Sequence, residues 1–193
     1  MGKLSLLYVA VFAALATPAF ATGEIVSLIT KADTARLEQY ETTRASALAE
    51  ARAGAAAADV EKLEAVVSSR DISMQGFDLG GKWKCRTIKV GKSLPVVIYQ
   101  SFDCRVTDDG SGWRLEKLSG SQRTTGRFFD DGDARLTYLG SGFMRNDKSK
   151  AYGSGPETDQ VGYAFRNKSG GWRIEFPAPI NESALDVLEF QRP

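Results

Sequence analysis

The sequence predicts an α+β fold in which an N-terminal helical hairpin packs on an antiparallel β-barrel of about eight strands. Three observations carry this. Apolar residues recur at helical spacing before Gly54, alternate with period two after Gly80, and are punctuated there by Asp/Gly/Ser turns. The boundaries that follow are a leader over 1–21, the helical hairpin over 22–70 and the barrel domain over 80–193.

Residues 1–21 read as a secretory leader. Lys3 supplies the positive start, Leu4–Leu15 is an apolar run short for a membrane span, and Ala19-Phe20-Ala21 is a small-x-small cleavage pattern. The expected mature chain is periplasmic or secreted, with no integral membrane segment once the leader is removed. The chain has 25 Lys and Arg against 24 Asp and Glu, and losing Lys3 balances them. Balanced charge leaves no electrostatic footprint for nucleic acid.

From Lys31 to Ala53, Leu37, Tyr40, Leu48 and Ala51 fall on one helical face, and Gly54 offers a stop. Asp59 is placed to cap a shorter helix whose Val60, Leu63 and Val67 share a face. The polar stretch from Ser68 to Gly81 then leads to strands expected near 82–90, 96–106, 112–118, 121–129, 134–140, 160–167, 171–176 and 184–191. "WRLEKL" and "WRIEF" show the alternation best: Trp113, Leu115 and Lys117 share one face, as do Trp172, Ile174 and Phe176. A meandering barrel fits the short connections; a two-layer sandwich is the alternative. The similar segments 107–118 and 166–177 read as two hairpins using one turn solution.

Cys85 and Cys104 lie on the first two strands. In an exported chain two cysteines permit one bridge, and a turn around Ser93-Leu94-Pro95 brings them opposite each other.

No histidine is present, which removes Ser-His-Asp and Cys-His nucleophile systems and His-ligated zinc. No pair of converging acid and base groups is legible either. The expectation is a protein that is not an enzyme, with no cofactor and no metal. The acids of "DDGD" (130–133), like Asp108 and Asp109, belong to hairpin tips and lack the spacing of a calcium loop.

Two stretches remain as site candidates. "SGSQRTTGRFF" places Arg123 where it can hold a carboxylate or phosphate. The connection 141–160 is long for a compact domain and mixes Phe143 and Tyr152 with Asp159 and Gln160. The ligand-binding candidates are therefore Arg123, Phe143, Tyr152, Asp159 and Gln160.

Gly81-Lys82-Trp83 resembles the Gly-x-Trp that opens lipocalin-type barrels, which implies that Trp83 packs at a closed end. More broadly, "KWKCRTIKV", "FDCRV", "GSQRTTGR", "YLGSG", "DQVG" and "LDVLEF", with "ADTARL" upstream, resemble a family of short exported Gram-negative proteins, domain of unknown function 4893. That resemblance implies export and the boundaries above, and transfers no site residue. The leading expectation is a periplasmic protein that binds a small apolar or amphipathic ligand in a barrel mouth. The alternative is a protein-interaction module, such as a hydrolase inhibitor or an envelope assembly factor, with a periplasmic protein as partner.

Overall fold

Alternation after Gly80 becomes a closed antiparallel barrel. The computed structural model describes residues 22–193; the leader expected over 1–21 lies outside the described residues. Its strands are β1 (Gly81–Val90), β2 (Val96–Ile98), β3 (Phe102–Asp108), β4 (Trp113–Lys117), β5 (Gln122–Asp130), β6 (Leu136–Met144), β7 (Asp159–Arg166), β8 (Trp172–Pro177) and β9 (Leu185–Gln191). β1 pairs with both β2 and β3, each strand from β3 to β9 pairs with the next, and β9 returns to β1 from Lys84↔Gln191 to Val90↔Leu185. Closure leaves no long unpaired edge.

The strand expected over 96–106 is present as two pieces. Ile88 pairs with Ile98 but Cys85 pairs with Phe102, so residues 99–101 oppose only Arg86 and Thr87. That extra residue is a bulge, which bends β2–β3 around the barrel wall. Counting β2 and β3 as one bent strand gives eight staves.

Alternation fills the interior. The Trp172 and Phe190 rings stack 3.7 Å apart, and Trp83 meets Trp172 edge-on at 5.8 Å. Trp83 donates its indole N–H to Leu79 O at 2.7 Å, and the Arg192 guanidinium lies 3.8 Å from its ring centre. This end of the barrel is closed. The Cys85–Cys104 disulfide crosses between β1 and β3 inside the barrel, with Cα atoms 5.9 Å apart. Its sequence separation of 19 corresponds to about 3 kcal/mol in the chain-entropy model. The cysteines sit diagonally rather than directly opposite, since Trp83 pairs with Cys104.

Two glycines explain why "GSQRTTGR" and "YLGSG" occur together. A Cβ on Gly126 would lie 2.7 Å from Tyr138 Cζ, and one on Gly140 would lie 2.3 Å from the Tyr138 hydroxyl. Their missing side chains make room for a fully buried phenol.

The helical region comprises α1 (Thr22–Leu28), α2 (Lys31–Glu38), α3 (Tyr40–Gly54) and α4 (Ala57–Val67). The expected two-helix hairpin is therefore four helices, of which α3 and α4 form the hairpin. The continuous helix expected over 31–53 breaks at Gln39 (φ −91°, ψ 2°). The break lets α2 follow β7 while α3 lies on β1, β8 and β9, so the chain bends with the barrel. Asp59 does not cap α4; Ala56 holds that position, and Asp59 pairs with Lys62 instead. Ala47, Leu48, Ala51, Leu63, Val66 and Val67 bury against the outward faces of β1 and β9. No helix of the described residues is long and apolar enough to cross a membrane.

Candidate functional site

At the end opposite Trp83, the inward positions change character. Alternation on β1 carries Trp83 and Cys85 into the core, then Thr87 and Lys89; on β4 it carries Leu115, then Lys117; on β9, Phe190 and Leu188, then Asp186. A cleft of about 370 Å³ opens there between the barrel, the 145–158 loop and the β8–β9 connection. A smaller recess of about 50 Å³ continues it inward and is lined by Thr87, Lys117, Thr124 and Leu188. Gln122, Arg123, Gln160, Phe176 and Asp186 line both.

Its floor is a hydrogen-bonded chain. The Tyr138 hydroxyl lies 2.7 Å from Thr124 Oγ1, which donates to Gln160 Oε1 at 2.6 Å. Burial pushes the Tyr138 phenol well above the ordinary tyrosine range, so it stays a neutral donor. Gln160 accepts through its oxygen, and its amide nitrogen has no partner among the described residues. Gly142 makes space for it: a Cβ there would stand 2.8 Å from Gln160 Nε2.

The cations divide into paired and unpaired. Lys89 Nζ holds Glu182 Oε2 at 2.9 Å. Burial works against its charge, but Glu182 and Asp186 outweigh it and raise the Lys89 pKa. Lys117 is 7 % exposed and has no carboxylate within ion-pair distance among the described residues. Its Nζ reaches Thr87 Oγ1 at 3.3 Å and stands 4.8 Å from the Phe102 ring centre. Burial pulls its pKa down to about 8, with the more distant Lys89 adding to the shift and Asp186 opposing it. Asp186 shifts upward because burial disfavours its charge, against the Ser183 hydrogen bond and Lys89. Arg123 donates Nε to Gly120 O at 3.2 Å and borders both spaces, out of phase on β5 with the inward Thr124.

Of the residues expected at a site, Arg123, Phe143, Asp159 and Gln160 all line the cleft. Tyr152 does not. Its hydroxyl donates to Asp33 Oδ2 at 2.5 Å and accepts from Thr30 N at 3.1 Å, tying the loop to the start of α2. Asp159 has a similar second task, accepting from Gly153 N at 3.0 Å and Gly155 N at 3.3 Å. Arg36, ion-paired with the fully buried Asp33, donates to Asp159 O at 3.0 Å and completes the anchor. The first four residues of the expected 141–160 connection extend β6, so the loop proper is 145–158. Burial, then the Asp33 bond, pushes the Tyr152 phenol up to about 12. Tyr152→Phe is expected to destabilise the loop anchor by about 1–2 kcal/mol. Limited trypsin digestion should then cut faster at Lys148 and Lys150.

Sequence reasoning missed Lys89, Lys117 and Asp186. A signal was present, because all three are in phase with buried residues on their strands. The acids of 130–133 behave as turn residues: Arg135 Nε meets Asp131 Oδ2 at 2.9 Å, and Gln75 Nε2 meets Asp133 Oδ1 at 2.8 Å. Among the described residues no cluster of acidic or sulfur ligands is placed to hold a metal.

Comparison with curated proteins and with solved structures returns no match. A family model described as domain of unknown function (DUF4893) matches residues 26–190. That span takes in α2 to α4 and the barrel strands almost to the end of β9, and the chain belongs to the DUF4893 family.

Proposed function

We propose that this protein is a non-catalytic binding protein of the bacterial periplasm or exterior, holding a small amphipathic ligand in the barrel mouth. The observation that carries the reading is the cleft of about 370 Å³ at the open end, within the size range of small-molecule sites and too small for a folded partner. An amphipathic occupant fits better than a purely apolar one. Phe143, Phe176 and the half-exposed Met144 and Ile180 offer apolar surface, while Lys117 and Gln160 offer donors that an apolar ligand would leave dry and unpaired. The buried Cys85–Cys104 bridge supports an oxidising compartment.

Native mass spectrometry of protein purified from the periplasm tests this. A small molecule retained at one per chain is the expected result. A bare chain in every preparation, with no uptake from an envelope extract, would sink the reading.

A protein-interaction role is the second reading, favoured by Val26 and Leu28, which stand 74 % and 46 % exposed on α1. It gains ground if a stoichiometric partner coelutes and is lost on replacing both residues with serine.

A further inference from the structure

Lys117 is the anomaly of the cleft. It projects from the buried face of β4 in phase with Trp113 and Leu115, where an apolar side chain would complete the core. It lies deep in the barrel mouth, 7 % exposed, with the Thr87 hydroxyl and the face of the Phe102 ring for company and no carboxylate within ion-pair distance among the described residues. The other buried cations of the described chain are answered: Lys89 by Glu182, and Arg173 by Glu175. Around Lys117 the recess adds the Thr87 hydroxyl and the Gln160 amide, whose oxygen alone is committed. A buried ammonium, a hydroxyl and an amide thus share one small space, and the uncompensated ammonium specifies a complementary charge.

We infer that the inner recess is an anion subsite in which Lys117 Nζ holds the carboxylate of an amphipathic carboxylic acid, assisted by Gln160. This deepens, and rests on, the reading of the barrel mouth as a ligand pocket. The ligand enters head first. Donors lie inward, while Phe143, Met144 and Ile180 lie toward the rim and take the apolar remainder. A single negative charge suits the recess better than a doubly charged phosphate. Asp186 shares the wall and would repel the second charge, and the recess itself measures only about 50 Å³. Burial that holds Lys117 near pKa 8 without a ligand also means that an incoming anion meets a poorly solvated, responsive cation.

The test is calorimetric titration of the leaderless full domain at pH 7 with octanoate, octan-1-ol and octyl phosphate, on the parent chain and on Lys117→Met. Methionine keeps an unbranched chain one atom shorter than lysine and removes the ammonium. Octanoate should bind the parent at least tenfold more tightly than octanol. Lys117→Met should lose at least tenfold in octanoate affinity while octanol binding stays unchanged. The comparison of probes on the parent chain needs no variant to fold. Equal binding of octanoate and octanol, unaffected by Lys117→Met, overturns the anion subsite and leaves the ligand pocket standing. Tighter binding of octyl phosphate than octanoate overturns the carboxylate assignment. Failure of all three probes overturns the inference, and it removes the pocket reading as well only if no ligand copurifies.

Discussion

Glu175→Ala is expected to cost about 3–5 kcal/mol of folding stability, because it strands the buried Arg173 and takes the partner of the partly exposed Arg44. Glu175 lies on the outward face of β8, fully buried beneath the helices. Its Oε2 accepts from the Tyr40 hydroxyl at 2.8 Å and Arg44 Nε at 2.7 Å, and its Oε1 accepts from Arg173 Nε at 2.7 Å. Arg173 is itself wholly buried, held also by Asn167 Oδ1 at 2.9 Å and set 4.9 Å from the Phe165 ring centre. Arg44 continues to Val67 O at 2.7 Å, so one carboxylate joins α3, the end of α4 and the barrel wall. Removing it leaves Arg173 charged and away from water, with neutral acceptors alone. Thermal unfolding should fall by roughly 10 °C for a domain of this size. Amide hydrogen exchange should show α2–α4 loosening before the barrel. A change within 1 kcal/mol, with exchange unaltered, would mean that the helices are held by apolar contact alone.

The opposite sign is expected for Lys117→Met. Burial pulls the Lys117 pKa down to about 8 in the folded chain against an ordinary lysine value of 10.5, a burden of about 3 kcal/mol on the native state below pH 8, where both states carry the proton. Between those values the unfolded chain binds the extra proton, so raising the pH stabilises the folded parent. Lys117→Met should therefore be more stable than the parent by about 3 kcal/mol at pH 7, with the gap closing from pH 8 towards 10.5. Lys89 and Asp186 face the same space, but their charges are present in both proteins and cancel in the comparison. Urea unfolding at pH 7 and pH 10 measures both numbers. A gap that ignores pH would place its origin in packing. A residue that weakens the fold in this way and lines a cleft is the kind of local inconsistency that accompanies binding sites.

Most of the barrel was legible because its physics is local. Period-two burial at Trp172, Ile174 and Phe176, and turn chemistry at 108–112, 130–133 and 167–171, bound the strands to within a few residues. Departures came where curvature mattered. The bulge opposite Arg86–Thr87 and the break at Gln39 answer the bending of a closed wall, and no property of those residues alone calls for either.

The site was legible by half. Arg123, Phe143, Asp159 and Gln160 stood out because they are polar or aromatic residues near a long connection, and they do line the cleft. Tyr152 stood out on the same ground, yet its hydroxyl is committed to Asp33, more than a hundred residues away in sequence. Lys89, Lys117 and Asp186 were not singled out, although Lys117 shares a face with Trp113 and Leu115.

The sequence by itself determined which residues alternate inward, where the chain turns, and that two cysteines could pair. Only the tertiary structure decided which inward residues share a space. Closing β9 onto β1 brings Asp186 beside Lys89, and wrapping β4 around places Lys117 against Thr87. A strand's pattern states which face a side chain takes. What that face meets depends on the barrel's closure, a long-range property that no local stretch encodes.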